Sequence, residues 1–211
     1  MLNPQEDDSW LFKRIGKATA SRIGDIVRTQ KNGQPYKARE DYLMELVLER
    51  LTGRMADHFT TPAMERGKQM EAEAALAYAM ETGHSLAFAD FVDHPTIAMS
   101  GASPDRLVNG NGLLEVKCPM PKAHIEFLMT GVIPENYRWQ VLWQCACTNR
   151  EWNDFMSYNP DFPAHLQSKV QRFHPEDAAL SQAEAAVKLF LDEVAAKVSE
   201  LEALGKVEEA A

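Results

Sequence analysis

Apolar positions recur at helical spacing in several stretches and alternate or cluster in others. From Glu40 to Leu51, the residues Leu43, Leu46, Val47 and Leu51 fall on one side, and Gly53 follows as a stop. Ala20, Ile23, Ile26 and Val27 predict a helix in the second half of Arg14 to Val27. Thr29 to Lys37, with Asn32-Gly33 and Pro35, reads as a loop. Thr61-Pro62 opens a long helix, with Thr at the cap and Pro at the first position, and Gly83 ends it. Pro121 starts a short helix closed by Gly131, and Pro134 starts another that runs to about Thr148. Strands are predicted around Leu86 to Val92, Thr96 to Ser100, Trp152 to Tyr158 and Gln167 to Phe173. Two apolar-rich runs flank Asn109-Gly110-Asn111-Gly112, the signature of a β-hairpin. An Ala/Glu/Leu-rich helix from about Glu176 to Leu204 finishes the chain.

Helices, a run of strands, more helices, two strands and a last helix describe a mixed central β-sheet flanked by helices, an α/β (α+β) class. At 211 residues with no internal repeat or low-complexity linker, residues 1–211 are expected to form a single domain.

The hairpin concentrates the chemistry. Strand side chains alternate, so Glu115 and Lys117 share one side while Leu114, Val116 and Cys118 take the other. If Gly110 to Gly112 form the loop, Asp105 opposes Lys117 and joins the face of Glu115. Two carboxylates and an ammonium on an apolar ribbon are costly to bury without a purpose. Hard oxygen ligands of this kind suit Mg²⁺ or Mn²⁺, and a neighbouring Lys suits phosphate or water. Taken alone, such a trio is more often a solvated surface ion pair.

Other polar groups recur at informative positions. Glu71 aligns with Met64, Gly67, Ala75 and Tyr78 on a small-residue and apolar helix face, where a carboxylate needs a partner or a cation. Gln140 and Gln144 lie one turn apart with Tyr137 on the same stripe, and amides there can orient water or phosphate. Arg14, Thr19 and Ser21, with Ser103 two residues before Asp105, make a reasonable phosphate pocket near a helix start.

Composition limits the choices. Apolar content of 45% and charged content of 25% are ordinary for a globular protein. Met1 to Trp10 is polar and acidic, so neither a secretory signal nor a transit peptide is expected, and a cytoplasmic setting follows. No apolar run approaches the roughly 18 residues that span a bilayer. The net charge of −9 is unevenly spread: residues 13 to 39 hold eight bases and one acid, and residues 176 to 211 hold nine acids and three lysines. The basic stretch can meet phosphates while the acidic tail faces elsewhere. Three cysteines, with Cys145 and Cys147 one residue apart, fit neither a disulfide framework nor a four-thiolate centre and read as small buried hydrophobes. The six histidines form no pair at metal-ligand spacing and read as structural. Trp139 and Trp143 read as core or subunit contacts.

The array Arg14-Ile15-Gly16…Thr19-Ala20-Ser21, Gly67-Lys68-Gln69-Met70-Glu71, Ser103-Pro104-Asp105, Leu114-Glu115-Val116-Lys117-Cys118-Pro119 and Tyr137-Arg138-Trp139-Gln140 closely resembles the bacteriophage lambda exonuclease and YqaJ-like alkaline exonuclease family. That family lies within the PD-(D/E)XK nuclease superfamily, with its restriction-endonuclease-like fold. The similarity runs from about Gln5 to Gln144, and order, spacing and context agree across five motifs. It implies a metal-dependent exonuclease that digests one strand of linear double-stranded DNA in the 5′→3′ direction. The products would be 5′-mononucleotides and a 3′ single-stranded tail for recombination by strand annealing. It implies Asp105, Glu115 and the main-chain carbonyl of Val116 as ligands of a principal Mg²⁺, with Glu71 helping to hold a second ion and Mn²⁺ able to substitute. Lys117 would orient or activate the attacking water, Gln140 would assist, and Arg14, Ser21 and Ser103 would hold the 5′-phosphate. An alkaline optimum, usual in the family, would suit a partly neutral Lys117. The resemblance further implies a homotrimer around the DNA end and a single-strand annealing protein as partner. Alternatives are a structure-specific endonuclease of the superfamily or a catalytically silent DNA-end-binding module. One departure is plain: Arg106 follows Asp105 where many members carry Gly, and either contacts the DNA backbone or projects outward. The loop Lys31 to Arg39 is expected near the duplex, although its match is poor.

Overall fold

The strand run folds into two small sheets, and the larger one carries the residues singled out above. A computed structural model describes residues 8–56 and 62–208. In chain order these are α1 (Asp8–Phe12), β1 (Ala18–Thr19), a 3₁₀ turn (Ala20–Arg22), α2 (Ile23–Val27), α3 (Lys37–Thr52), α4 (Pro62–Thr82), β2 (Leu86–Ala87), β3 (Val92–Asp93), β4 (Ser100–Ala102), β5 (Arg106–Val108), β6 (Gly112–Lys117), α5 (Pro121–Thr130), α6 (Glu135–Thr148), β7 (Trp152–Tyr158), a 3₁₀ turn (Ala164–Leu166), β8 (Ser168–Phe173) and α7 (Asp177–Glu208). The five-stranded sheet has the order β2-β5-β6-β7-β8 and is antiparallel except for the β6–β7 pair; a three-stranded sheet has the order β1-β4-β3.

The expected strand at 86–92 is divided between the sheets: β2 pairs with β5, whereas β3 pairs with β4. The expected strand at 96–100 is instead mainly a turn entered after Pro95, with Met99 left-handed at φ 59° and pairing beginning at Ser100. β1 was not foreseen, because a two-residue strand has no alternation to read; it is defined by its parallel pairing with β4. The cap residue Thr61 lies outside the described residues. Gly53, Gly83 and Gly131 each stand just past a helix end at positive φ, as the stop positions predict.

Alternation along β6 and β7 fixes what each face meets. Leu114, Val116, Met156 and Tyr158 pack with Ala74, Ala75 and Tyr78 of α4. On the reverse face Phe155 packs with Phe127 of α5 and Val141 of α6. The largest cluster joins α2, α3, α6 and α7 through Ile23, Leu46, Trp143 and Phe190, among others. Trp143 is a core residue, as one of its two readings held: its indole donates to Ser100 Oγ at 3.1 Å and its ring stacks on His94. Cys145 and Cys147 are buried, and burial pushes the Cys145 thiol up to about 12, so both act as small hydrophobes. Among the described residues no helix is long and apolar enough to cross a membrane.

Candidate active site

The β5–β6 hairpin turns two residues in pairing away from expectation. Arg106 pairs with Leu114, Leu107 with Leu113 and Val108 with Gly112, so the loop is Asn109-Gly110-Asn111, and the same register continued one residue sets Asp105 opposite Glu115, not Lys117. The reason is local: Asn109 adopts φ 48°, and its carboxamide accepts from the backbone N and hydroxyl of Ser85, which pins it as the first turn residue. Gly112 belongs to the strand because a Cβ there would meet the Trp152 ring at 2.1 Å. The shift is two residues in pairing, an even number, so the faces are those predicted.

Glu115 is almost fully enclosed, at 1% exposure. It faces α6, where Gln140 Nε2 donates to Oε1 at 2.6 Å and Gln144 Nε2 donates to Oε2 at 2.6 Å. Asn153 Nδ2 of β7 donates in turn to Gln144 Oε1 at 2.7 Å, and Lys117 Nζ donates to Glu115 Oε1 at 2.5 Å. A buried carboxylate is thus met on both oxygens, as its burial requires. Lys117 also lies 4.9 Å from the Tyr137 ring centroid. Gln144, expected with Gln140 to orient water or phosphate, instead holds Glu115, and Asn153 is a partner that the sequence did not single out because it needed the β6–β7 pairing.

Asp105 precedes β5, and its Oδ2 accepts from the Val116 backbone N at 2.7 Å. Burial pushes its carboxyl well above the usual range; the neighbouring Glu115 and Glu71 carboxylates push the same way, against Lys117 and the Val116 amide. For Lys117, burial lowers the ammonium pKa, but Glu115 and Asp105 outweigh it and raise the group above its ordinary value. Without a metal ion, the two carboxylates thus favour the ammonium form of Lys117.

Glu71 comes to the same end of the sheet from the opposite face. Arg106 and Val108 share the α4 face with Leu114 and Val116, and Arg106 Nη1 donates to Glu71 Oε1 at 2.7 Å and to the Asp105 carbonyl at 2.5 Å. Arg106 is 6% exposed, with its guanidinium 4.4 Å from the Phe88 ring centroid. It therefore neither projects outward nor lies open to a DNA backbone. Asp105 feels both other acids, yet among the described residues no three His, Cys, Asp or Glu side chains form a group that could hold a metal ion. Glu115 is paired with Lys117 and Glu71 with Arg106.

The second candidate region is a cleft of about 390 Å³ lined by Arg14, Lys17, Thr19, Ser21, Arg22, Tyr42, Glu45 and Glu49, among others. The Tyr42 hydroxyl accepts from Thr19 N at 3.0 Å, and Glu49 Oε2 accepts from Gly16 N at 2.7 Å, so α3 fixes the Arg14–Ser21 segment. Ser103 is not a lining residue; it joins the cleft through Trp10, whose indole donates to Ser103 Oγ at 2.9 Å while the Arg14 guanidinium lies 4.3 Å from the ring centroid. Much of the basic stretch is neutralised internally: Lys13 pairs with Asp90, Lys17 with Asp93, Arg22 with Asp25 and Glu45, Arg28 with Glu135 and Arg39 with Glu193. Among the described residues Arg14 makes no ion pair; burial lowers its pKa, partly offset by Tyr42 and Glu49.

The YqaJ-like viral recombinase domain matches residues 9–151. The alkaline exonuclease LHK-Exo from Laribacter hongkongensis is 38% identical over 97% of this chain and 100% of its own, with a TM-score of 0.88, and its complex with dAMP superimposes equally well. A phage-related exonuclease from Haemophilus somnus 129PT shares the fold at a TM-score of 0.70 and 11% identity, over 88% of this chain and 96% of that one. No curated protein matches the chain. On this agreement of sequence and fold, the chain belongs to the YqaJ-like viral recombinase family, the alkaline exonucleases of the PD-(D/E)XK type.

Proposed function

We propose that this protein is an Mg²⁺-dependent 5′→3′ exonuclease acting on one strand of linear double-stranded DNA. It would release 5′-mononucleotides and leave a 3′ tail for recombination by strand annealing. The observation that carries the reading is the level placement of Asp105 and Glu115 on one hairpin, with Lys117 bonded to Glu115 and Gln140 closing over it. The dAMP complex of LHK-Exo supports a mononucleotide product.

A divalent cation fits the donors present. They are hard carboxylate oxygens, and the Asp105 carboxyl is raised by burial first and then by the neighbouring Glu115 and Glu71 carboxylates, a penalty that a bound cation would relieve. Asp105, Glu115 and the Val116 carbonyl would hold the principal Mg²⁺, or Mn²⁺ in its place, and Glu71 would contribute to a second ion. Such ions supply polarisation of the phosphoryl oxygens and neutralisation of charge developing at the phosphate. The chain's own residues do the rest. Gln140 and Gln144 orient Glu115, the Val116 amide orients Asp105, and Lys117, held as an ammonium, stabilises negative charge on the phosphoryl oxygens. Arg14 and Ser21 in their cleft, with Ser103 behind Trp10, would hold the terminal 5′-phosphate. A homotrimer threaded by the duplex and a single-strand annealing partner complete the proposal.

The test is a time course on 5′-phosphorylated linear duplex and on closed circular duplex, each with Mg²⁺ or with EDTA. Mononucleotide release from the 5′ ends of the linear substrate, abolished by EDTA and reduced at least 100-fold in Lys117→Ala, is expected. Efficient cutting of the closed circle would establish an endonuclease instead, and an inert wild type would establish a silent end-binding module.

A further inference from the structure

We propose that Arg106 is a positioning residue that stands in for a second divalent ion by holding Glu71, so that the DNA-free enzyme binds one ion per chain. The proposal rests on the metal-dependent reading above and deepens it. One nitrogen, Nη1, bridges the Glu71 carboxylate at 2.7 Å and the Asp105 carbonyl at 2.5 Å. The guanidinium is fixed on two further sides, by its own strand and by the Phe88 ring 4.4 Å away, and the residue is 6% exposed. A buried cation bonded in this manner is not a loose surface charge. Its position in sequence explains its direction. Arg106 follows Asp105 directly, and strand alternation sends it to the α4 face, where Glu71 lies, while Glu115 takes the α6 face.

Electrostatics gives this arrangement a consequence. Asp105 lies within the field of both Glu115 and Glu71. Of the Asp105 and Glu71 carboxylates, only Glu71 is taken up by Arg106, a guanidinium that cannot lose its proton and that reaches Asp105 at its main-chain carbonyl alone. Among the described residues no three acids gather into a metal-sized group, which is the geometric counterpart: Glu71 is drawn to Arg106 and not towards the other two carboxylates. Removing Arg106 leaves Glu71 without its cation and restores the three-acid set. A second ion and Arg106 compete for Glu71, and the arginine closes the second site until it lets that carboxylate go.

The experiment counts ions on full-length DNA-free protein by Mn²⁺ electron paramagnetic resonance and by calorimetric titration. Wild type is expected to bind one Mn²⁺ per chain and Arg106→Gly two, with Arg106→Lys restoring one. Glu71→Gln in the wild-type background is expected to keep the count at one, because the carboxylate it removes is not holding the first ion. A structural role alone would lower the melting temperature of Arg106→Gly without raising its ion count. Should Arg106→Gly fail to fold, wild type and Glu71→Gln still decide. Two ions on wild type, or no ion on Glu71→Gln, would overturn the role of Arg106 while leaving a metal nuclease intact. No Mn²⁺ on wild type would overturn the metal reading and this proposal together.

Discussion

Replacing Gln144 with Leu removes two buried hydrogen bonds while nearly preserving volume. Gln144 is completely enclosed, donates to Glu115 Oε2 at 2.6 Å and accepts from Asn153 Nδ2 at 2.7 Å. In the variant, Glu115 Oε2 loses its donor inside a site of 1% exposure, and the Asn153 amide loses its acceptor at zero exposure. A hydrogen bond to a charged group is worth about 1.5–3 kcal/mol, and an orphaned buried neutral donor costs about 1–3 kcal/mol. Together they give a loss of roughly 2.5–6 kcal/mol. For a chain of this size that is a drop of about 5–24 °C in melting temperature. The assay is denaturant unfolding in EDTA, so that a bound cation does not mask the loss, followed by Mg²⁺ titration of the folded variant. The metal affinity should also weaken, because a Glu115 freed from one of its two α6 amides is less well oriented. A loss below 1 kcal/mol with unchanged affinity would refute the idea that α6 positions the carboxylate.

Two further outcomes follow from the same site and its strand. Because the Asp105 carboxyl is raised in the folded protein, metal-free stability should fall as pH rises from the ordinary carboxylate range through its raised pKa, and Mg²⁺ affinity should climb over the same window. Asp105→Asn should abolish both slopes, as read by thermal melts with and without Mg²⁺. Gly112→Ala places a methyl 2.1 Å from the Trp152 ring and should destabilise the fold by about 1–3 kcal/mol through overpacking, measured by the shift in denaturation midpoint.

Much of this protein is local and was therefore written in its sequence. Helix ends at Gly53, Gly83 and Gly131 are backbone requirements of single residues, and β7 at Trp152–Tyr158 is marked by Trp152, Phe155, Met156 and Tyr158 within seven residues. The face on which Glu115 and Lys117 lie follows from a period of two, which survived an error in register because the slip was even. Asp105, Glu115 and Lys117 stood out because their spacing is short and their chemistry unusual for a sheet, while Gln140 stood out as a buried-face amide one turn from Gln144 on α6. What only the tertiary structure decided is where charges from distant segments meet. Arg106 stands next to Asp105 in sequence but answers Glu71 on a helix across the sheet, and Lys117 stays protonated because two carboxylates outweigh its burial. The apparent excess of base in residues 13 to 39 is largely cancelled by acids from elsewhere, leaving Arg14 facing a cleft whose other wall, α3, lies beyond the reach of local pattern. Side-chain electrostatics depends on pairwise distance and burial, and neither is a property of neighbouring positions in a chain.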